Sequence, residues 1–328
     1  MNKKPRFCII EAPCKINLHL RIGPKRSDGF HSLESIFASL SLCDSLEFKI
    51  DGKDGDFGLD LMWENTLPGA DTFAAGINAP AACEDIPMEK NLVFRTVSLF
   101  RESSGFKRGL KVRLVKRIPT GSGLGGGSSD AASTLLAMNA LAESHTGRRL
   151  SMEEIAEMAS QLGSDVPFFL SGPAALVRGR GELIEPVKTP QGLWVLIVKP
   201  PFSSDTAEAY RLLDEFREKG NAQNSCNWVK SEKIAAALDN NSDSWPFYND
   251  FLPAFLSGGR NSAAYRDIFY NLKRFGASFV NLSGSGSSCY GIFLSKNTAE
   301  KAKKAFLTGE NFVFLSFFIA QNAKPVLK

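Results

Sequence analysis

The chain has 328 residues, about twice a usual domain of ~150, so two domains are expected. Hydrophobic residues make up 43% and charged residues 23%, and 25 Phe supply bulky core material, which excludes disordered, collagen-like and coiled-coil architectures. Thirty-nine Lys and Arg against 35 Asp and Glu leave a net charge of +4, spread along the chain and short of the concentrated patch of a nucleic-acid binder.

Lys3 and Lys4 precede an apolar run that stops at Glu11, too short for a secretory signal. Residues 6–50 read as strand segments. Phe7–Ile10 and Ile16–Ile22 are short apolar or alternating runs broken by Pro13, and Gly23-Pro24 marks a turn. Ser45–Ile50 alternates and runs into the turn signal Asp51-Gly52. Residues 51–90 read as a loop-rich excursion with one strand at Phe57–Trp63, and Asn91–Arg101 returns to a helical pattern. Lys111–Arg117 alternates as a strand that Pro119 ends, and a glycine run follows from Gly121 to Gly127.

Ser128-Ser129-Asp130 then opens a helix patterned by Ala131, Leu135, Met138 and Ala142. A second helix starts at the capping box of Ser151 and ends at Gly163, and a domain boundary is expected near Gly172-Pro173. Beyond it, Leu193–Val198 is an apolar strand, residues 205–219 and 261–274 read as helices, and Gly276–Leu282 and Gly291–Leu294 flank "SGSGSS" (Ser283 to Ser288). Helices and strands alternate in both halves, so the class is α+β or α/β. The best membrane-span candidate, Phe312 to Ala320, contains Ser316 and is half the ~18 residues required. The six cysteines (Cys8, Cys14, Cys43, Cys83, Cys226, Cys289) form neither a CxxC pair nor a zinc-like grouping, so reduced thiols in a cytoplasmic protein are expected.

The most informative segment is "PTGSGLGGGSSDAA", Pro119 to Ala132. A strand, dense glycine and then a helix start bring backbone amides against a phosphate, because glycine permits positive φ and close approach. The Ser128 and Ser129 hydroxyls are placed to cap the helix, contact phosphate or coordinate magnesium. A Walker A loop fails because no Lys follows the glycines. Gly121, Gly123 and Gly126 meet the dinucleotide pattern G-x-G-x-x-G. The acidic residue it requires would lie near Glu143, at a helix end rather than after a second strand. A protein-kinase fold lacks its HRD and DFG signatures. A flexible linker would not run straight into a patterned helix.

Three further segments join that loop: "APCKINLHLRIGPKRSDGFHSLESIF" (Ala12 to Phe37), "GSDVPFF" (Gly163 to Phe169) and "NLSGSGSSCYGIF" (Asn281 to Phe293). In this order and spacing the four resemble the GHMP small-molecule kinases, which include galactokinase, homoserine kinase and mevalonate kinase. The loop and "SGSGSS" match that superfamily generally. The opening "KINL…R.DGFH" and "GSDVPFF" are narrower, and resemble the branch acting on the cytidine diphosphate derivative of methylerythritol in non-mevalonate isoprenoid synthesis. The resemblance covers nearly the whole chain apart from residues 52–90.

That resemblance implies an α+β, two-domain fold: a ribosomal S5 domain 2-like N-terminal domain over 1–172 and a ferredoxin-like C-terminal domain over 173–328. It implies transfer of a phosphoryl group from ATP, with Mg2+, to a small-molecule alcohol, with neither nucleic acid nor membrane as partner. Carried over by position, Lys15 and Asp165 are the catalytic pair. Asn91 and the run Pro119, Thr120, Gly121, Ser122, Gly123, Leu124, Gly125, Gly126, Gly127, Ser128, Ser129 match the ATP site. Asn17, Phe30 and His31 match substrate contacts, the last two holding the cytosine ring, and Phe202 in "KPPFSSDTAEAY" is expected on its other face. The family commonly has Tyr where Phe30 stands and Ala where Cys14 stands.

An alkyl hydroxyl is a poor nucleophile near neutral pH, so a carboxylate that accepts its proton is useful, and Asp165 fills that role. Lys15 would hold Asp165 ionised and offset charge on the attacking oxygen or the γ-phosphate. Alone, either residue reads as a solvated surface charge, and Phe30-His31 as an ordinary aromatic turn. "SGSGSS" reads equally as a tight turn between strands or as backbone that approaches substrate.

Overall fold

A computed structural model describes residues 4–63, 87–221, 231–258 and 261–328. The chain opens with two long antiparallel strands, β1 (Phe7–Lys25) and β2 (His31–Ile50). Strand β3 (Phe57–Trp63) follows, as the sequence suggests; the rest of the expected excursion, residues 64–86, lies outside the described residues. Helix α1 (Leu92–Ser104), strand β4 (Leu110–Lys116), helices α2 (Gly126–Thr146), α3 (Met152–Leu162) and α4 (Phe168–Ser171), and strands β5 (Ala174–Gly179) and β6 (Leu183–Pro186) complete the first half. The second half runs β7 (Trp194–Lys199), α5 (Thr206–Phe216), α6 (Ser231–Ala236), α7 (Phe251–Ser257), α8 (Ser262–Arg274), β8 (Phe279–Leu282), β9 (Cys289–Phe293), α9 (Lys296–Phe306), β10 (Phe312–Phe317) and β11 (Val326–Leu327).

The first sheet has the order β11-β1-β2-β4-β3, with β5 and β6 continuing from β2. The two ends of β2 diverge: Ser45–Ile50 pairs with β4, while Leu33–Ala38 pairs with β5. The second sheet, β10-β7-β9-β8, is antiparallel throughout. Two features shift the expected division at residue 172. Strands β5 and β6 lie beyond it yet belong to the first sheet, and β11 returns to pair with Cys8 and Ile9 of β1. The sheets therefore separate between β6 and β7.

Pro13 does not break the first strand. Beyond Ile9, β11 has ended, so no strand on that edge needs the N–H that proline lacks, and the ladder to β2 absorbs Pro13 in an irregularity between Pro13 and Lys15. Three cores hold the layers. One lies between the first sheet and α1, α2 and α3. A second joins Ile16, Leu18, Ile36 and Leu40 of the first sheet to Val195, Ile197 and Ile292 of the second. The third packs α5, α7, α8 and α9 onto the second sheet. Residues 12–22 of β1 are therefore buried on both faces, and the polar Lys15, Asn17, His19 and Arg21 that alternate with apolar neighbours there are buried with them. The four described cysteines, Cys8, Cys14, Cys43 and Cys289, are free thiols; Cys83 and Cys226 lie outside the described residues. No helix among the described residues is long and apolar enough to cross a membrane.

Candidate active site

Just past the irregularity in β1, Lys15 pairs with Ser39 of β2, and its N–H donates to the Leu124 carbonyl of the glycine loop at 2.9 Å. Its side chain runs beside the loop: a Cβ on Gly125 would sit 3.0 Å from Lys15 Cγ. The buried ammonium lies 3.3 Å from the Asp165 carboxylate, donates to Asn17 Oδ1 at 2.7 Å, and stands 4.4 Å from the centre of the Phe37 ring. Asp165 itself is one-third exposed at the turn after α3, so the carboxylate meets both the buried cation and open space. Asn17 is spent on support: Oδ1 holds Lys15, Nδ2 donates to Ser35 Oγ at 2.9 Å, and its carbonyl accepts from Tyr290 Oη at 2.9 Å.

The glycine loop lines a cavity of about 290 Å3 with Leu92, Lys116, Ile118 and residues 119–128. Its helix starts earlier than the serines suggest. Gly125, at φ 72°, is the cap of α2, which begins at Gly126 with no side-chain cap. Ser128 and Ser129 therefore lie inside the first turn, and its amides stay free of any capping side chain. Ser129 Oγ is buried without a hydrogen-bond partner. Asn91 caps α1 by accepting from Val93 N at 2.9 Å, and the adjacent Leu92 lines the loop cavity.

The second glycine turn locks the first. Ser283 Oγ donates to the Gly123 carbonyl at 2.9 Å, and Ser288 N donates to the Ser122 carbonyl at 3.1 Å. A third segment joins them: Ser204 Oγ donates to the Ser285 carbonyl at 2.6 Å, and a Cβ on Gly121 would meet Ser203 at 3.3 Å. "SGSGSS" is thus a turn between β8 and β9 that braces the glycine loop.

At the outer end, Phe30 is 52% exposed, and the Arg180 guanidinium lies 3.8 Å from its ring centre. His31 is buried, with Nδ1 3.0 Å from the Gly23 carbonyl and Nε2 3.4 Å from Asp214 Oδ2. Its ring stacks on Tyr210 at 5.0 Å. Phe202, expected beside this pair, points elsewhere: it packs edge-on against Tyr265 at 5.4 Å and lines a separate cavity of about 280 Å3. The missed aromatic is Tyr210, whose pKa is raised by burial and then by the charge of Asp165. Tyr210 and Asp214 stand one turn apart on α5, which the Asp205 cap starts, and that spacing was the available signal.

Two family models match the chain: the GHMP kinase N-terminal domain over residues 91–173 and the GHMP kinase C-terminal domain over 231–309. A 4-diphosphocytidyl-2-C-methyl-D-erythritol kinase of Thermodesulfovibrio yellowstonii is 33% identical over 90% of this chain and 93% of its own length. One from Shouchella clausii is 32% identical over 86% and 84%. The chain belongs to the GHMP kinases. It is accordingly a small-molecule kinase. A crystal structure of 4-(cytidine 5'-diphospho)-2C-methyl-D-erythritol kinase superposes with TM-score 0.70 at 29% identity, covering 94% of this chain and 98% of that one. A homoserine kinase from Cytophaga hutchinsonii, 18% identical with TM-score 0.69 over 99% and 98%, shares the fold.

This GHMP kinase also carries a buried ion cluster that sequence reasoning missed. The Lys116 ammonium pairs with Asp44 and, at 2.7 Å, with Asp130, and all three are almost wholly buried. Asp44 Oδ1 accepts from Arg117 N and Ile118 N at 2.5 and 2.9 Å. Burial raises the pKa of Asp130, against the pull of Lys116. Burial also opposes the Lys116 charge, but Asp130 and Asp44 outweigh it and raise that pKa. The cluster ties β2, β4 and α2 together beneath Gly126, whose Cβ position is 3.3 Å from Lys116 Nζ. No spacing rule links residues 44, 116 and 130, so only the fold reveals it.

Proposed function

We propose that this GHMP kinase transfers the γ-phosphoryl group of ATP, with Mg2+, to the 2-hydroxyl of 4-diphosphocytidyl-2-C-methyl-D-erythritol. The observation that carries the reading is the position of Lys15, whose side chain lies along the glycine loop and whose ammonium lies beside the Asp165 carboxylate. The names and coverage of the relatives support the same acceptor.

Asp165 accepts the proton of the acceptor hydroxyl as the new bond forms. Lys15 opposes negative charge building between acceptor and donor. Asn17 and Phe37 hold that ammonium in place, so its position is set before substrate arrives. The free amides of the first turn of α2 and the left-handed glycines Gly121, Gly123 and Gly125 form the anion cradle. Phe30 offers an exposed ring to the base, with the stacked His31 and Tyr210 beside it.

The orphaned, buried Ser129 Oγ fits a hard cation or a phosphate oxygen, and Ser129 is the residue that would hold Mg2+. Among the described residues no group of three or more His, Cys, Asp or Glu is placed to hold a metal ion. A single hydroxyl suits Mg2+, which keeps waters and takes phosphate oxygens. When bound, the ion neutralises phosphate charge.

The test is ADP release from ATP and Mg2+ with 4-diphosphocytidyl-methylerythritol, methylerythritol, mevalonate and homoserine offered separately. Turnover confined to the cytidylated acceptor supports the proposal; turnover with another alcohol instead rejects the base-reading pocket. Asp165→Asn should lower kcat about 10²–10⁴-fold while nucleotide binding persists. A near-normal kcat removes Asp165 as the base.

A further inference from the structure

The turn between β5 and β6 presses on the catalytic turn: a Cβ on Gly181 would sit 3.0 Å from the Ser164 carbonyl oxygen, one residue before Asp165. The same turn carries Arg180, whose backbone N–H is held by Glu182 Oε2 at 2.5 Å. Its guanidinium lies over the exposed Phe30 ring, 3.8 Å from the ring centre. Nearby arginines are already paired, Arg26 with Asp28 and Arg178 with Glu185, each at 3.1 Å. The Arg180 guanidinium has no carboxylate or hydrogen-bond partner among the described residues. A guanidinium resting on a ring engages only its flat face, so the N–H groups around its edge remain available to an anion.

We propose that Arg180 binds the diphosphate of a nucleotide-linked acceptor and thereby sets acceptor specificity. The inference rests on the functional reading above, in which the base sits at Phe30 and the reacting hydroxyl at Asp165. Covalent order puts the diphosphate between those two ends. Arg180 belongs to a turn that touches both, through its own side chain at Phe30 and through Gly181 at Ser164. Arginine suits the task because its planar fork meets two phosphate oxygens at once.

The experiment is calorimetric binding of cytidine diphosphate and of cytidine to the full chain, as wild type, Arg180→Gln and Arg180→Lys. The wild type should prefer the diphosphate. Arg180→Gln should weaken cytidine diphosphate about tenfold while cytidine changes less than twofold, and Arg180→Lys should recover only part of the loss. Raising the salt should shrink the preference in the wild type and leave Arg180→Gln nearly unaffected. Equal losses for both ligands would make Arg180 a brace for Phe30 alone and overturn the proposal, as would an unchanged diphosphate affinity. A matching loss of ATP affinity would show a disturbed fold and also count against it. If the wild type binds neither cytidine ligand and phosphorylates another alcohol, the functional reading fails first and Arg180 falls with it.

Discussion

Two glycines of one loop should respond very differently to the same added methyl group. Gly123 has φ +76°, and a Cβ there would lie 2.2 Å from the Ser283 carbonyl oxygen and 2.9 Å from that of Gly286. Both obstacles are backbone of the bracing turn, so neither can rotate aside. Gly123→Ala should cost about 1 kcal/mol for the left-handed conformation. The Ser283–Gly123 and Ser288–Ser122 bonds, lost as the turns part, add about 1 kcal/mol each. The sum of about 3 kcal/mol corresponds to a fall in Tm of roughly 4 °C for a chain of 328 residues. A phosphate loop displaced by ~1 Å should lose about 100-fold in kcat/KM for ATP. Gly127 is the control: its nearest neighbour would be Leu92 Cδ1 at 3.4 Å, the flexible end of a side chain, and its φ is not positive. Gly127→Ala should stay close to wild type in thermal unfolding and ATP kinetics. A Gly123→Ala variant that keeps KM for ATP within twofold, or equal damage in both variants, would refute a backbone clash at Gly123.

Other consequences are independent of that loop. Lys116→Met leaves Asp44 and Asp130 buried without their cation and should cost about 3 kcal/mol or more in denaturant unfolding; a loss below 1 kcal/mol would mean the cluster is not stabilised as a unit. Phe30→Ala should raise KM for the acceptor more than KM for ATP, and equal effects would remove Phe30 from the base site. His19 is buried with Nε2 unpartnered, and burial, then Arg21, lowers its pKa to about 4. The unfolded chain binds that proton near 6.5, so the neutral ring's contribution is complete above about pH 6.5 and is lost as pH falls toward 4. That window spans about 3 kcal/mol, and His19→Gln should flatten it in unfolding measured across pH 4–7. An unchanged pH slope would assign the acid sensitivity to other groups.

The strand–glycine–helix course of the loop was legible because its signals are local: strand, glycines and helix start are contiguous, and contiguity is what periodicity and turn rules detect. Lys15 and Asp165 were legible only through the company of four motifs, since either charge alone resembles a solvated surface group. Three misreadings have physical causes. Pro13 is tolerated because β11 is too short to need its N–H, a fact fixed by the far end of the chain. The serine cap of α2 is displaced because left-handed Gly125 turns the chain into the helix three residues earlier. Phe202 and Tyr210 are both aromatics near the start of α5, and which of them turns toward His31 depends on packing against Tyr265 and Phe251. The Asp44–Lys116–Asp130 cluster has no local signature at all.

The distribution of buried polar contacts bears on how the site is assembled. Tyr290 from the second sheet donates to the Asn17 carbonyl, Asn281 Nδ2 to the Leu18 carbonyl at 3.1 Å, and Ser283 to the loop at Gly123. Asn249 Nδ2 in turn bonds the Leu282 and Gly284 carbonyls at 2.9 and 2.8 Å, holding the bracing turn itself. Apart from the part-buried Ser283–Gly123 bond, these donors and acceptors are buried, so disrupting them without full access to water would cost more than each bond contributes while formed. The same strand that receives two of those bonds carries Lys15 between them and the loop. Lys15 and the glycine loop beside it are therefore positioned as the two sheets pack, in the second core. Phe30 and Arg180 lie exposed outside that seam, where the proposed acceptor would enter, and adjustment on binding would fall to them.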